Sequence, residues 1–213
     1  MSLRHQPKAA LINEFSGFGR CSVTVALPII SQMKVQCCPV LTSVFSNHTG
    51  YPSFYFDDYT EKMPSYIAEW KKLNLHFECI AAGFLGSERQ IEIVKNFIRD
   101  FKDETTKVLI DPVMGDHGRT YQTFTPEMCS QMKQLAHFAD ILTPNLTEAC
   151  ILTDTPYHDG HWQMSELSEL ALSLIAMGPS KVVITGVSMG TFIGNVICES
   201  GGTPSVVKRK RVG

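Results

Sequence analysis

The sequence predicts an α/β fold built on a mostly parallel sheet. Short apolar runs alternate with amphipathic stretches of helical spacing, as expected of strands joined by crossover helices. Polar, glycine-containing segments follow several of the apolar runs, where an open parallel sheet collects its ligands. The end of the chain changes character. Thr191–Cys198 and Ser205–Val212 flank Glu199-Ser200-Gly201-Gly202-Thr203-Pro204, which predicts an antiparallel hairpin there.

Taken in order, the predicted strands are Ala9–Asn13, Val35–Val44, Cys79–Gly83, Lys107–Ile110, Ile141–Leu142 and Lys181–Thr185. Between them the predicted helices are Ser22–Met33, Thr60–Leu73, Glu88–Phe101, Pro126–His137, Leu146–Thr153 and Met164–Met177. Ile91, Val94, Ile98 and Phe101 show the helical spacing clearly. Ser46–Asp58 breaks the pattern with Gly50, Pro52 and Phe54-Tyr55-Phe56. It reads equally as an edge ribbon or flap with exposed aromatics, or as a loop packed back on the core.

At 213 residues, with 44% hydrophobic and 19% charged residues, the chain can bury one substantial core and reads as a single domain over 1–213. A formal charge of −2 gives no general attraction to nucleic acid or to an anionic membrane surface. No segment approaches the roughly 20 apolar residues of a spanning helix, and the opening lacks the apolar core of a signal peptide. These features predict a cytoplasmic enzyme with small-molecule partners. Met1-Ser2-Leu3 is assigned no function. The seven cysteines are scattered and odd in number, so they predict mostly buried, reduced thiols rather than disulfides or a zinc site. The basic run Lys208 to Arg211 reads as a solvated or edge-protecting strand.

Four strand ends carry polar chemistry. The first is Glu14-Phe15-Ser16-Gly17-Phe18-Gly19-Arg20, a glycine-bearing turn without the spacing of a dinucleotide or Walker loop. The second, Asp111-Pro112-Val113-Met114-Gly115-Asp116, sets two carboxylates in one short loop, a donor type suited to magnesium when phosphates supply further oxygens. Turn chemistry explains it equally well. The third is Thr143-Pro144-Asn145-Leu146-Thr147-Glu148, where Asn145 and Glu148 have the spacing of a helix cap and its reciprocal partner. The fourth is Thr185-Gly186, where the backbone can approach a ligand. Four such ends on one sheet edge favour a nucleotide-phosphate site over four unrelated turns.

Ser46-Asn47-His48-Thr49-Gly50-Tyr51, Gly83-Phe84-Leu85-Gly86-Ser87, the Asp111–Asp116 loop and the Thr143–Glu148 segment resemble, in order and spacing, the pyridoxal kinases of the ribokinase-like superfamily. The resemblance runs from about Ala9 to Val212. It implies a ribokinase-like three-layer sandwich with a small flap, ATP-dependent phosphorylation of the hydroxymethyl group of pyridoxal, pyridoxamine or pyridoxine, and a homodimer. By that resemblance Ser16 and Thr49 hydrogen-bond polar substituents of the pyridine ring, while Val44 and Phe84 pack near its face. Family members often carry tyrosine where Phe84 stands, so the contact here is apolar. For ATP the resemblance implies Asp111, Tyr121, Asn145, Glu148, Thr185 and Gly186, with Tyr121 in a covering loop. It implies Asp116 and Glu148 for magnesium, and Asp111, Thr143 and Thr185 for a monovalent cation, potassium or sodium.

The family's catalytic aspartate lies in a Gly-Thr-Gly-Asp segment that opens a helix, and no such segment occurs in these residues. The general base and its anion-binding helix are therefore expected beyond Gly213, in a longer enzyme. The rival readings are a hydroxymethylpyrimidine or hydroxymethylpyrimidine-phosphate kinase, a non-catalytic vitamer-binding protein and, further off, a sugar kinase. Phe54, Tyr55, Phe56 and Phe84 suit a flat aromatic substrate better than a polyol.

Overall fold

The computed structural model describes residues 6–212, so Met1-Ser2-Leu3 and Gly213 lie outside the described residues. The chain gathers into two compact units, one through Val108 and one from Leu109 onward.

In the first unit, β1 (Lys8–Phe18) lies between β2 (Gln36–Asn47) and β4 (Cys79–Ala82), parallel to both, and β3 (Phe56–Asp58) adds antiparallel to β2. The helices are α1 (Ser22–Gln32), which packs on β1 and β2, α2 (Met63–Lys72) and α3 (Glu88–Phe101). Ile91, Val94, Phe97, Ile98 and Phe101 form the buried face of α3. Phe97 packs tilted against Phe101 at a centroid distance of 4.5 Å, and Phe77 and Trp70 extend the aromatic core. Ser87 caps α3 by accepting the Gln90 N–H at 3.3 Å. Ser87→Ala is expected to cost about 1 kcal/mol, read as a lower urea midpoint with an unchanged m-value.

The first predicted strand is longer than expected. The residues read as a turn after Asn13 continue as β1 to Phe18, because β2 also runs on to Asn47 and offers them a partner. Gly17 permits this pairing, since a Cβ there would lie 3.0 Å from the Ser46 carbonyl oxygen. The Ser46–Asp58 segment is a short edge ribbon ending in β3. Phe54 and Phe56 pack on Phe45 at 5.6 and 4.8 Å while remaining 46% exposed, so each of the two readings describes part of it.

In the second unit the strand order is β5 (Lys107–Ile110), β8 (Ile141–Leu142), β9 (Lys181–Met189), β10 (Phe192–Glu199) and β11 (Ser205–Lys210). The first three are parallel, and β10 and β11 close the edge as an antiparallel hairpin. Two short strands, β6 (Gly115–Asp116) and β7 (Arg119–Thr120), form a separate hairpin. The sequence reading treated this stretch as loop. His117 and Gly118 both have positive φ, 50° and 74°, which is the backbone a two-residue hairpin turn requires. Helices α4 (Pro126–Ala136), α5 (Leu146–Thr153) and α6 (Met164–Ile175) complete the unit, α6 packing on α5, β9 and β10. Its core includes Ile110, Met114, Met132, Leu135, Leu142 and Ile184.

Two further expectations are corrected. β9 does not end at Thr185 but bends at Gly186, whose φ is +71°, and continues to Met189 against β10. The seven thiols are all free, but only Cys150 and Cys198 are buried, the other five being half-buried.

Candidate functional site

In the second unit the predicted residues converge. Asn145 caps α5, its Oδ1 accepting the Glu148 N–H at 3.0 Å while Glu148 Oε2 accepts the Asn145 N–H at 2.8 Å. This is the reciprocal cap that the spacing predicted. Glu148 also reaches the loop after β5, where Oε1 accepts the Met114 N–H at 3.0 Å. The Asn145 amide donates to the Gly115 carbonyl at 2.7 Å. Cap and loop are therefore one hydrogen-bonded piece, and it fixes the β6–β7 hairpin that carries Asp116.

Glu148 is 3% exposed. Burial pushes its carboxyl up to about 7; the Asn145 N–H opposes this, the Asp111 charge adds to it, and the Met114 and Gly115 N–H groups also oppose it. Tyr121, 42% exposed, donates its N–H to the Met114 carbonyl at 2.9 Å. Its phenol is raised first by burial, then by the carboxylates of Glu148, Asp116 and Asp111, so all three lie within electrostatic reach of its hydroxyl.

Thr143 donates its N–H to the Ile110 carbonyl at 3.0 Å, and Thr185 donates its N–H to the Pro144 carbonyl at 2.8 Å. Of the three predicted cation ligands, Asp111 and Thr143 directly follow β5 and β8, and Thr185 lies within β9, the strand beside β8. The Gly186 N–H donates to Asn195 Oδ1 at 3.2 Å. A cleft of about 350 Å³ is lined by Asp116, Asn145, Thr185 and Gly186, with Trp162 and Arg211 among its other walls. The sequence reading missed Trp162 and Arg211. The first belongs to a connection without periodic signal, and the second was read only as part of a charged strand.

Among the described residues no three His, Cys, Asp or Glu side chains gather as a metal cluster. The donor set still fits hydrated magnesium. Asp116 is exposed on the hairpin, and the buried Glu148 carboxylate, held by backbone donors, can order coordinated water.

The first unit holds the residues predicted for the acceptor. Asn13 Oδ1 accepts both the Glu14 N–H at 2.9 Å and the Phe84 N–H at 3.0 Å. The Phe84 carbonyl accepts from the Thr42 hydroxyl at 3.0 Å, and its ring packs edge-on against Phe45 at 6.1 Å. Gln90 holds the far end of this loop, accepting the Gly86 N–H at 2.7 Å and donating to the Thr42 carbonyl at 2.8 Å. Ser16 is buried opposite Phe45 in the β1–β2 ladder, and Val44 is half-buried opposite Phe15. Thr49 is exposed, in the turn where the Tyr51 N–H donates to the His48 carbonyl at 3.1 Å. The structure thus sets Ser16 opposite Phe45, whose ring Phe84 meets, puts Val44 at the adjacent position of the same ladder, and leaves Thr49 in the ribbon. Asn13 and Gln90, which organise the loop, escaped notice because an amide in a strand or helix carries no motif signal.

The phosphomethylpyrimidine kinase family matches residues 27–213. A pyridoxal kinase of Arabidopsis thaliana is 31% identical over 161 residues, covering 71% of this chain and 49% of its own length. The chain spans about half the length of the curated relatives it matches. A crystal structure from Bacteroides thetaiotaomicron, provisionally assigned as a phosphomethylpyrimidine kinase, superposes with a TM-score of 0.94 at 42% identity, over 100% of this chain and 74% of that one. A second crystal form under the same assignment, described as holding pyridoxal, gives 0.91 at 43% identity over 96% and 72%. The fold is accordingly the α/β, mostly parallel arrangement of ribokinase-like kinases.

Proposed function

The chain belongs to the phosphomethylpyrimidine kinase family, and we propose that it carries the ligand-holding residues of an ATP-dependent kinase acting on the hydroxymethyl group of pyridoxal or its vitamers. The observation that carries this reading is the single hydrogen-bonded assembly of Asp111–Asp116, Tyr121, Asn145 and Glu148 in the second unit. Phosphoryl transfer needs positioning and charge neutralisation more than covalent chemistry, and this assembly supplies both. Asp116 and Glu148 would hold magnesium, which neutralises phosphate charge. Asp111, Thr143 and Thr185 would hold potassium or sodium. Asn145, Thr185 and Gly186 line the cleft for the nucleotide, and Tyr121 covers it. The acceptor falls to Ser16, Val44, Thr49 and Phe84, with Phe84 giving an apolar contact to a flat ring. The family's Gly-Thr-Gly-Asp base is not among these 213 residues. A cytoplasmic homodimer is the assembly the resemblance supports.

The pyridoxal reading stands ahead of the hydroxymethylpyrimidine one because the curated relatives at 31% and 32% identity are pyridoxal kinases, whereas a thiamine biosynthetic bifunctional enzyme of Arabidopsis thaliana is 25% identical, and because one crystal form of the Bacteroides protein is described with pyridoxal. The test is calorimetric binding of magnesium-ATP, pyridoxal, pyridoxamine and hydroxymethylpyrimidine to the 213-residue chain, with turnover assayed on the complete gene product alongside. Pyridoxal is expected to bind at least about tenfold tighter than hydroxymethylpyrimidine, a difference of about 1.4 kcal/mol, and the complete product is expected to phosphorylate it. Preference for hydroxymethylpyrimidine would transfer the chain to the thiamine branch. Binding of vitamers without ATP binding or turnover would leave a vitamer-binding protein.

A further inference from the structure

Among the described residues two buried side-chain polar atoms have no hydrogen-bond partner, Glu14 Oε2 and Ser43 Oγ. They occur at one place in the fold. The β1–β2 ladder slips its register there, Asn13 lying opposite Leu41 but Phe15 opposite Val44, so the single residue Glu14 is set against Thr42 and Ser43 together. Such bulges re-aim side chains and recur beside active sites. The neighbours of this bulge are the acceptor groups already described. Asn13 holds the Phe84 N–H, Thr42 holds the Phe84 carbonyl, and Phe15 and Ser16 follow directly.

The Glu14 side chain is held in place from one side only. Its Oε1 accepts from the Ser22 hydroxyl at the start of α1, and Ser22 has a left-handed backbone with φ of 52°. That arrangement fixes one oxygen and leaves the other unpaired, although a buried polar atom without a partner costs free energy in a protein built only for stability. Ser43, 1% exposed, likewise gains nothing from its hydroxyl within the fold.

We propose that Glu14 and Ser43 read the acceptor, Glu14 through a hydrogen bond to the ring nitrogen of a hydroxymethyl-bearing heteroaromatic ring and Ser43 through a ring substituent. This rests on the kinase reading above and names the groups that decide which ring that site takes. Burial raises the Glu14 carboxyl against the opposing Ser22 hydrogen bond, its own backbone bond and the His48 charge. The selectivity follows from chemistry. A benzene ring in place of the pyridine leaves the Glu14 oxygen buried and unpaired in the complex as well, whereas a pyridine satisfies it.

The test pairs variants with ligands on the 213-residue chain, measuring affinity for pyridoxine and for its benzene analogue, in which the ring nitrogen is replaced by CH. The unmodified chain should favour pyridoxine about tenfold, the value of one such hydrogen bond, and Glu14→Ala should lose that preference. Ser43→Ala should weaken pyridoxine binding severalfold without lowering the unfolding midpoint, because it removes an unpaired buried hydroxyl. A structural role for Ser43 would lower the midpoint instead. Glu14→Met, which keeps the side-chain length without a hydrogen-bonding group to offer the ring nitrogen, guards against loss of fold in the alanine variant. Glu14→Ala or Glu14→Met that folds and keeps the full pyridine preference overturns the proposal. Failure of the unmodified chain to bind either ring overturns the kinase reading itself.

Discussion

Glu148→Ala is expected to lower the unfolding free energy by about 3 to 5 kcal/mol and to weaken magnesium-ATP binding by more than about tenfold. The carboxylate accepts the Met114 and Asn145 N–H groups from a position that is 3% exposed, so alanine strands two buried donors and removes the reciprocal half of the α5 cap. It also cuts the tie between α5 and the loop that presents Asp116. Glu148→Gln retains one acceptor oxygen and should lie between the two.

The same residue sets a pH dependence. The folded state raises this carboxyl from 4.5 to about 7, so the native chain binds its proton more tightly than the unfolded chain does. The part of its contribution that comes from this tighter proton binding is therefore full below pH 4.5, falls as pH rises through the interval to 7, and is lost above it, while the hydrogen bonds to Met114 and Asn145 persist. The shift corresponds to about 3 kcal/mol at most. Urea midpoints of the metal-free chain should show a downward component across that interval that Glu148→Gln lacks. A slope identical in both chains would remove Glu148 as its source.

Much of this arrangement was legible because it rests on local chemistry. Asn145 and Glu148 announce a cap by spacing alone, and a cap at a strand end locates the neighbouring loop. Ile91, Val94, Ile98 and Phe101 gave α3 through periodicity, and Lys107–Ile110 and Ile141–Leu142 were bounded by polar residues on both sides. What could not be read depended on a partner distant in sequence. Phe15 to Phe18 form strand because β2 runs beside them to Asn47, and Gly186 bends β9 without ending it because Asn195 and β10 receive the remainder. The β6–β7 hairpin has strands of two residues each, too short for any periodic signal. Glu14 reads in the sequence only as part of a turn, because its distinction is an unpaired oxygen at a register slip, and a register slip is a property of two strands.

Gly115→Ala should disable the nucleotide half of the site through the backbone alone. A Cβ at this position would lie 2.3 Å from the Arg119 carbonyl oxygen and 2.8 Å from Thr120 Cα, both main-chain atoms of the facing strand. No rotamer change relieves that overlap, so β6 and β7 must separate. Separation moves Asp116, breaks the Asn145 bond to the Gly115 carbonyl, and disturbs the Tyr121 N–H bond to Met114. The expected result is a stability loss of about 3 kcal/mol or more, with magnesium-ATP affinity reduced beyond about tenfold. Pyridoxine affinity should change less than about twofold, since the acceptor residues lie on other elements. Gly118→Ala offers the internal comparison. It meets the Tyr157 ring at 2.5 Å and places alanine at a φ of +74°, but a ring can turn aside and a left-handed alanine costs about 1 to 2 kcal/mol. Close approach of main chain to main chain therefore predicts that Gly115→Ala is the more damaging of the two. The opposite order, read from urea midpoints and nucleotide affinity together, would mean that turn conformation at Gly118 governs the hairpin and that β6 and β7 tolerate being pushed apart.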